Sequence, residues 1–263
     1  MTPDEIFKEL SKRHDDPPVQ ALGGALEQRI VVAPLMLAEL DRLVEEFDKG
    51  LRNANTDRQF FSVGKKLLRK PSPLFYGFLL AAEWKQTDAY PLYSELLRCP
   101  FAGHPNLFSE TVHNDLGARV MAEIYNGDPT PLWTLLLDDA ADESVRFWQW
   151  RTLILLVLRG ALDLETLRRF LVRAFDELEQ EPDQHVWVGW EEVIIYFGLD
   201  DLIPLVEEAL EVERIRDRTI EDFRADYAYA RAHPEEPIQG EPAVPFHGLF
   251  DEVEWAVVNR AAP

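Results

Sequence analysis

The 263-residue sequence contains a single cysteine, Cys99. One chain can therefore build neither a disulfide framework nor a zinc site on cysteine ligands. Residues 1–5 lack the basic stretch that opens a secretory signal, and no apolar stretch follows them. The longest apolar run, residues 153–158, is far shorter than the roughly 20 residues that span a bilayer. These absences predict a soluble, cytoplasmic protein with no membrane partner.

Basic residues are also few. The chain has 27 Lys and Arg against 48 Asp and Glu, a net charge of −21. Residues 1–70 hold 12 of each sign, so residues 71–263, with 15 basic and 36 acidic residues, carry the whole excess. A surface of that sign repels phosphate backbones, so nucleic acid is not an expected partner.

No standard catalytic motif is present: there is no glycine-rich phosphate loop, no Gly-x-Ser-x-Gly elbow and no His-Glu-x-x-His pair. We therefore predict no catalytic residue, no cofactor and no metal. One group of metal-binding residue types, His104, Glu110, His113 and Asp115, stays open. Glu110 and His113 share a face if their segment is helical, as in carboxylate-bridged metal bundles, but the further carboxylates of such sites are missing at fitting spacing. The alternative is an inter-repeat loop that caps the next helix.

Strand patterns are scarce, whereas apolar residues recur at spacings of three and four in many segments. Prolines suited to first turns and aspartates suited to caps mark the boundaries. The sequence therefore predicts an all-α protein. The predicted helices cover residues 3–13, 18–29, 33–48, 72–85, 89–98, 112–126, 130–138, 143–159, 163–180, 186–198, 201–213 and 218–231.

A pattern of Pro-Leu followed by further apolar residues recurs along the chain. Pro91 and Pro131 are 40 residues apart, and Pro204 follows after 73, close to two more units. A period near 40 is typical of two-helix repeats, which stack because one pair cannot bury both apolar faces alone. We predict a HEAT-like α-solenoid of stacked antiparallel helix pairs, an α–α superhelix.

The clearest unit is residues 128–159. Pro131 opens its first helix, Asp138 closes it, and Val145-Arg146 opens its second helix. This arrangement resembles the HEAT-repeat pattern, and the resemblance implies that the Asp138 and Arg146 side chains link neighbouring turns. The predicted structural repeat residues are Pro91, Pro131, Asp138, Arg146 and Pro204.

These patterns predict a single helical-repeat domain over residues 1–231. It comprises N-terminal helices in 1–48, a mobile loop at 49–62 and a repeat body at 63–231. Residues 232–263 form a proline-rich tail. We expect its apolar piece, 249–258, to dock back on the body as a short helix; a disordered acidic tail is the alternative.

The candidate binding residues are His185, Trp187, Trp190, Glu191 and Arg151. Trp187 and Trp190 are three residues apart, so both rings can share one helix face and, if exposed, would anchor a partner. The alternative, which we favour, places both rings in the core. Arg151 follows two tryptophans and is placed to stack on one of their rings.

From residue 71 to about residue 237 the sequence resembles a bacterial family catalogued as domain of unknown function 1186. The residues that carry the resemblance are Leu79-Leu80-Ala81-Ala82-Glu83, Tyr90-Pro91-Leu92, Leu96-Leu97, Gly127-Asp128, Pro131-Leu132, Val145-Arg146, 164–170 and Asp201-Leu202 before Glu207. The resemblance implies a helical-repeat protein with no assigned activity. Some relatives carry a C-terminal Cys/His motif of the SEC-C type; this chain has His233 and His247 there but no cysteine, which argues against zinc.

The leading functional hypothesis is a non-catalytic module that binds a protein or peptide, with a basic partner favoured by the charge. One alternative is a HEAT-like enzyme or small-ligand binder that uses acids and tryptophans of the concave groove. A deep pocket holding two acids with a His or Trp would favour that alternative. A further alternative is self-assembly through residues 249–258, and the sequence leaves the oligomeric state open.

Overall fold

The computed structural model describes residues 1–12, 16–52, 73–102, 107–108, 112–179, 185–215, 217–238 and 243–260. Within these ranges the chain forms thirteen α-helices and no strand, which confirms the all-α prediction. The helices are α1 (Pro3–Leu10), α2 (Val19–Glu27), α3 (Arg29–Arg52), α4 (Leu74–Trp84), α5 (Tyr90–Leu97), α6 (Asp115–Glu123), α7 (Thr130–Leu137), α8 (Glu143–Leu158), α9 (Leu164–Glu177), α10 (His185–Phe197), α11 (Ile203–Glu211), α12 (Ile220–Ala232) and α13 (Leu249–Arg260). Short 3₁₀ helices at Thr87–Ala89 and Asp200–Leu202 lead into α5 and α11.

The central helix α8 shows how local signals set the boundaries. The Asp142 side chain accepts a hydrogen bond from the Val145 N–H at 3.1 Å and so caps the first turn. Just beyond the last turn, Gly160 has φ +68°, a left-handed conformation that glycine adopts without steric cost. The observed helix therefore agrees with the predicted range of 143–159 to within a residue.

Helix α3 starts earlier than predicted. The expected range was 33–48, with Pro34 in the first turn, but the helix runs over Arg29–Arg52 and contains Pro34 in its second turn. Its buried stripe begins with Val32, which extends the apolar face toward the N-terminus. The carbonyl that loses its partner to the proline belongs to Ile30, which is 91% exposed, so water can solvate it.

Two segments that the sequence did not clearly mark as helices, residues 49–52 and 249–260, are helical in the structure. The predicted loop at 49–62 is wrong for residues 49–52, which extend α3; the rest of that range lies outside the described residues. At the other end, α13 covers the apolar piece of the tail, and its Val253 side chain is buried. In the structure this piece is a helix that packs on α4.

Most helices pack on the helix two positions further along the chain. In one series α4 packs on α6, α6 on α8, α8 on α10 and α10 on α12. In the other, α3 packs on α5, α5 on α7 and α7 on α9. We call α4, α6, α8, α10 and α12 the even row, and α3, α5, α7 and α9 the odd row. The two rows meet through pairs such as α7 with α8, and α13 packs on α4 of the even row.

The core lies between the two rows, and α8 shows which side of the even row faces outward. Arg146 Nε donates to the Leu136 carbonyl of α7 at 3.0 Å, and the Trp150 ring lies 5.7 Å from Phe170 of α9. Each of these two residues is two positions from Trp148, a rotation of about 200° around the helix. Trp148 therefore lies on the side of α8 opposite the odd row. We call this side the outer side of the even row.

Close packing of α8 on α10 depends on Gly189. A Cβ at this position would lie 2.4 Å from Trp150 Cδ1 and 3.0 Å from the Phe147 carbonyl oxygen. Gly189→Ala is therefore expected to lower the free energy of unfolding by about 1–3 kcal/mol through overpacking, measured by urea denaturation. The control is Gly23→Ala in α2, where a Cβ meets nothing within 4 Å. That change is expected to stabilise by about 0.5–1 kcal/mol, so equal effects at the two glycines would contradict the packing argument.

No single described helix is long and apolar enough to cross a membrane. The α2 and α3 helices, bent by 108° relative to each other, pass that test only when taken together.

Candidate binding surface

The two predicted anchor tryptophans lie in the core. The Trp187 and Trp190 side chains are both completely buried, and their rings meet edge to face at 5.3 Å. Each indole N–H is satisfied inside the protein: Trp187 Nε1 donates to the Glu179 carbonyl at 2.9 Å and Trp190 Nε1 to the Leu171 carbonyl at 3.0 Å. A buried ring whose N–H is already bonded cannot anchor a partner, so the exposed-anchor prediction is wrong and the core alternative is confirmed.

Arg151 does stack on a tryptophan. Its guanidinium carbon lies 4.8 Å from the centre of the Trp148 ring, within the range of a cation–π contact. Its Nη2 is 3.6 Å from Glu192 Oε2 on α10. Burial raises the pKa of the neighbouring Tyr196, an effect that the Arg151 charge opposes. We call Trp148, Arg151, Glu192 and Tyr196 the Arg151 cluster; it bridges α8 and α10 on the outer side of the even row.

His185 begins α10 and lies at the protein surface. Its ring stacks on Phe147 of α8 with 4.5 Å between the ring centres. Burial raises the pKa of Glu143, and the nearby His185 and the Val186 N–H act in the opposite direction. His185 thus joins the ends of α8 and α10, apart from the buried tryptophans that it accompanied in the sequence.

The two described members of the candidate metal group, His113 and Asp115, contact different side chains. His104 and Glu110 lie outside the described residues. His113 Nε2 is 3.7 Å from an oxygen of Asp142, whereas the Asp115 carboxylate lies 3.4 Å from Arg119. In the part of the chain that the structure describes, no group of three or more His, Cys, Asp or Glu residues is placed to hold a metal ion.

Glu191 is a completely buried carboxyl group on α10. Neither of its oxygens has a hydrogen-bond partner among the described residues, and the nearest cation is Arg218, with Nε 3.5 Å from Oε1. Arg218 also contacts the Asp226 carboxylate of α12 at 2.5 Å. Loss of hydration raises the pKa of Glu191 from 4.5 to about 7; the Arg218 charge opposes this shift, and Glu192 and Asp226 add to it. The pKa shift results from burial, since the carboxyl group has no contact with solvent.

The C-terminal segment, residues 243–254, docks on α4 and α6 of the even row. On α4, Phe78 faces Tyr93 of the odd row at 4.8 Å, and Glu83 lies about 140° further round the helix, so α13 contacts the outer side there. Arg119 Nη1 of α6 donates to Glu252 Oε1 of α13 at 2.6 Å, and both side chains are buried. Glu83 Oε2 of α4 accepts the N–H of Leu249, the first residue of α13, at 2.8 Å. Leu249 and Val253 are buried beside these polar contacts. We call Glu83 and Arg119, with the α4 and α6 surface between them, the docking site.

Sequence reasoning missed the docking site but not its occupant. Within α13, Glu252 is three residues after Leu249 and one before Val253, so the helical period puts this carboxylate on the apolar face. A charged side chain on the buried face of a helix requires a partner of opposite charge. Glu252 was therefore the feature of the sequence that could have indicated the docking site. The partner, Arg119, is 133 residues away in the sequence, so no local pattern identifies it.

The predicted repeat prolines lie where their chemistry suits them. Pro91, Pro131 and Pro204 each occupy the first turn of a helix, α5, α7 and α11 respectively, where the missing N–H has no intrahelical partner to lose.

Asp138 and Arg146 link separate helices. Asp138 ends α7 and accepts a hydrogen bond from Arg98 Nε, at the end of α5, at 2.5 Å. Arg146 of α8 is buried and pairs with Glu179, just after α9, at 2.9 Å. The linked residues are 40 and 33 positions apart, close to the repeat length read from the sequence.

A cavity of about 780 Å³ lies at the N-terminal end, between α1 and α2. Among the described residues, its lining includes Glu5, Glu9 and Asp16, together with Lys8 and Lys12.

Comparison with known proteins gives one family. The sequence model of one family, described as protein of unknown function (DUF1186), matches residues 1–223 of the chain. No curated protein and no solved structure matches the chain. The family match includes Glu83 and Arg119 of the docking site, whereas the docked segment lies beyond it. Because the match extends over far more than half of the sequence, the chain belongs to the DUF1186 family.

Proposed function

We propose that this chain is a non-catalytic helical-repeat module that binds a protein or peptide on the outer side of its even row. One observation carries the proposal: the outer side already holds an amphipathic helix, α13, through a buried ion pair and buried apolar side chains. A surface that receives one helix of its own chain has the shape and chemistry to receive a helix of another protein.

The packing of the helices supports a HEAT-like solenoid as the framework of this module. Each row grows by adding the helix two positions further along, as expected when stacked helix pairs bury a continuous core. Links such as Arg168–Asp201 and Arg98–Asp138 join residues 33 and 40 positions apart, so each unit is tied to the next. Such an array presents side chains from several successive helices to one partner.

The charge favours a basic partner for the part of the outer side that α13 leaves open. Residues 71–263 carry the whole net charge of −21. In the Arg151 cluster, Glu192 is a partly exposed carboxylate and Trp148 a partly exposed ring. Both groups already contact Arg151, so a basic side chain of the partner would bind at the solvent-exposed parts of the carboxylate and the ring.

The test compares a variant of the Arg151 cluster with one of equal charge elsewhere. Full-length wild type, Glu192→Lys and Glu177→Lys are immobilised, and proteins retained from an extract of the source cells are quantified by mass spectrometry. Glu177 is exposed on α9 of the odd row. We expect binding of the main retained proteins to fall at least about tenfold with Glu192→Lys, because a like charge replaces the carboxylate, and to persist with Glu177→Lys. Equal retention by both variants, or none by the wild type, would contradict the proposal.

The enzyme alternative finds less support. Its candidate acid, Glu191, and its candidate tryptophans have no exposed surface, so a substrate cannot reach them. General acid–base catalysis requires hydrogen-bond reach to the reacting group, which these positions do not offer.

A further inference from the structure

The docking site recognises the first turn of a helix. Leu249 is the first residue of α13, and its N–H, which has no partner within the helix, donates to Glu83 Oε2 at 2.8 Å. The Glu83 carboxylate also faces the positive end of the helix dipole. Three residues further on, Glu252 Oε1 accepts from Arg119 Nη1 at 2.6 Å and from the His247 N–H at 3.0 Å.

These contacts define a short chemical pattern. It consists of an apolar first residue, a carboxylate at the fourth position and an apolar fifth residue, which in this chain are Leu249, Glu252 and Val253. The carboxylate matters because Arg119 is buried, and without Glu252 the guanidinium is left with a weaker contact, the partly exposed Asp115 carboxylate at 3.4 Å, to offset its desolvation. Nothing in the pattern depends on the segment being covalently attached to the rest of the chain.

Two observations suggest that the occupant is exchangeable. The family match covers residues 1–223, so it includes Glu83 and Arg119 of the docking site and ends before α13. The occupant also reaches the site from the end of α12 through 16 intervening residues, 233–248. A segment tethered over a short connection competes with free ligands at an effective concentration on the order of millimolar.

We propose that the docking site is a receptor for helix N-termini with this pattern, and that α13 occupies it in cis until a partner helix displaces it. This inference rests on the proposed function, since it identifies the partner of one part of the outer side. The partner is an amphipathic helix whose first turn supplies a free N–H to Glu83 and a carboxylate to Arg119. The Arg151 cluster, by contrast, suits basic side chains.

The test uses full-length chains and a fluorescein-labelled peptide with the sequence of residues 243–260. Glu252→Arg places two cations face to face and releases α13, while Glu83 and Arg119 stay available to the peptide. Asp251→Arg makes the same charge change at the neighbouring exposed position. We expect Glu252→Arg to bind the peptide at least about tenfold more tightly than the wild type, because α13 no longer fills the docking site. Asp251→Arg is expected to bind the peptide with the affinity of the wild type.

A charge reversal identifies the contact. The double variant Arg119→Glu with Glu252→Arg restores the ion pair in the opposite sense, so α13 is expected to dock again and the peptide not to bind. Fluorescence anisotropy measures binding, and circular dichroism shows whether each variant folds. Equal peptide affinity of Glu252→Arg and Asp251→Arg would overturn the proposal, as would tight peptide binding by the double variant.

A measurement on the wild type keeps the test independent of folding defects. Unlabelled peptide in excess is added to the isotope-labelled chain, and hydrogen exchange of residues 249–253 is followed. We expect their exchange to become faster as the peptide takes their place, whereas unchanged exchange at saturating peptide would overturn the proposal. Concentration-dependent dimers in light scattering, without peptide exchange, would also overturn it and assign the site to a second copy of the chain. The retention of cellular proteins, tested with Glu192→Lys, is a separate measurement. The proposed function and the exchange of α13 can therefore fail independently of each other.

Discussion

Arg146→Ala is expected to lower the free energy of unfolding by about 3 kcal/mol, the low end of the range for breaking a buried ion pair, because the partner Glu179 is 24% exposed. Arg146 is only 1% exposed. Its Nε donates to the Leu136 carbonyl at 3.0 Å, close to the end of α7, and its Nη1 pairs with Glu179 at 2.9 Å. Alanine leaves that carbonyl without its donor, Glu179 without its counter-charge, and a cavity between α7, α8 and α9.

The measurement is urea denaturation followed by tryptophan fluorescence, with the melting temperature as a second reading. A loss of 3 kcal/mol corresponds to a decrease of about 6–12 °C for a chain of this size. Arg146→Lys tests the geometry, because an ammonium group is a compact point charge that cannot donate in the same forked way to both acceptors; it is expected to recover only part of the loss.

Arg173→Ala in α9 is the matched control. Arg173 also pairs with a glutamate, Glu177, at 2.7 Å, but both side chains are about half exposed. Water replaces the lost partner there, so the variant is expected to unfold close to the wild type. A similar loss in both variants would mean that burial does not determine the contribution of Arg146.

The sequence predicts helix boundaries well where they depend on residues a few positions away, and less well where they depend on tertiary packing. The boundaries of α8 follow from Asp142 and Gly160, whose effects extend over a few residues, and the prediction agrees with the structure there. Pro34 suggested a boundary by the same logic, but the buried stripe from Val32 onward favoured a longer helix. Packing across the whole of α3 outweighed the loss of one backbone hydrogen bond at a solvated carbonyl.

The candidate site was predicted less well because faces and partners are set by the tertiary structure. Trp187 and Trp190 lie in a helix that is apolar on most sides, so the sequence favours the core for both rings but does not identify the residues that cover them. The Arg119–Glu252 pair joins residues 133 positions apart, and only the folded chain brings them together. The Arg151 stack was predictable because the ring that it uses, Trp148, is three residues away on the same helix.

Glu191→Gln is expected to change the pH dependence of stability. Burial raises the pKa of Glu191 from 4.5 to about 7, so between these values the folded chain holds a proton that the unfolded chain has released. Raising the pH through this window therefore favours unfolding, and the stability that the protonated carboxyl provides is fully present below pH 4.5 and lost by pH 7. Glutamine keeps the shape and has no proton to lose.

The quantity to follow is the free energy of unfolding of Glu191→Gln minus that of the wild type. We expect this difference to rise by about 2.5 kcal/mol between pH 5 and pH 8, because each unit of pKa difference corresponds to about 1.36 kcal/mol. Taking the difference removes the titration of the other acids that both chains share. Urea denaturation at intervals of half a pH unit measures the curve, and Glu211→Gln, which removes an exposed carboxylate of α11, is the control.

The shape of the curve separates burial from ion pairing as the dominant influence on Glu191. The charged groups that surround it are Arg218 before α12, Asp226 on α12 and Glu192 on its own helix. If the Arg218 charge dominated, the pKa of Glu191 would fall below 4.5. The free energy of unfolding of Glu191→Gln minus that of the wild type would then decrease as the pH rises toward 4.5. A rise confined to pH 4.5–7 would establish that α10 and α12 pack around a carboxyl group that is neutral in mildly acidic solution. Above that range the same contact has to hold a charge out of water, so the α10–α12 contact is expected to loosen before the rest of the even row as the pH increases.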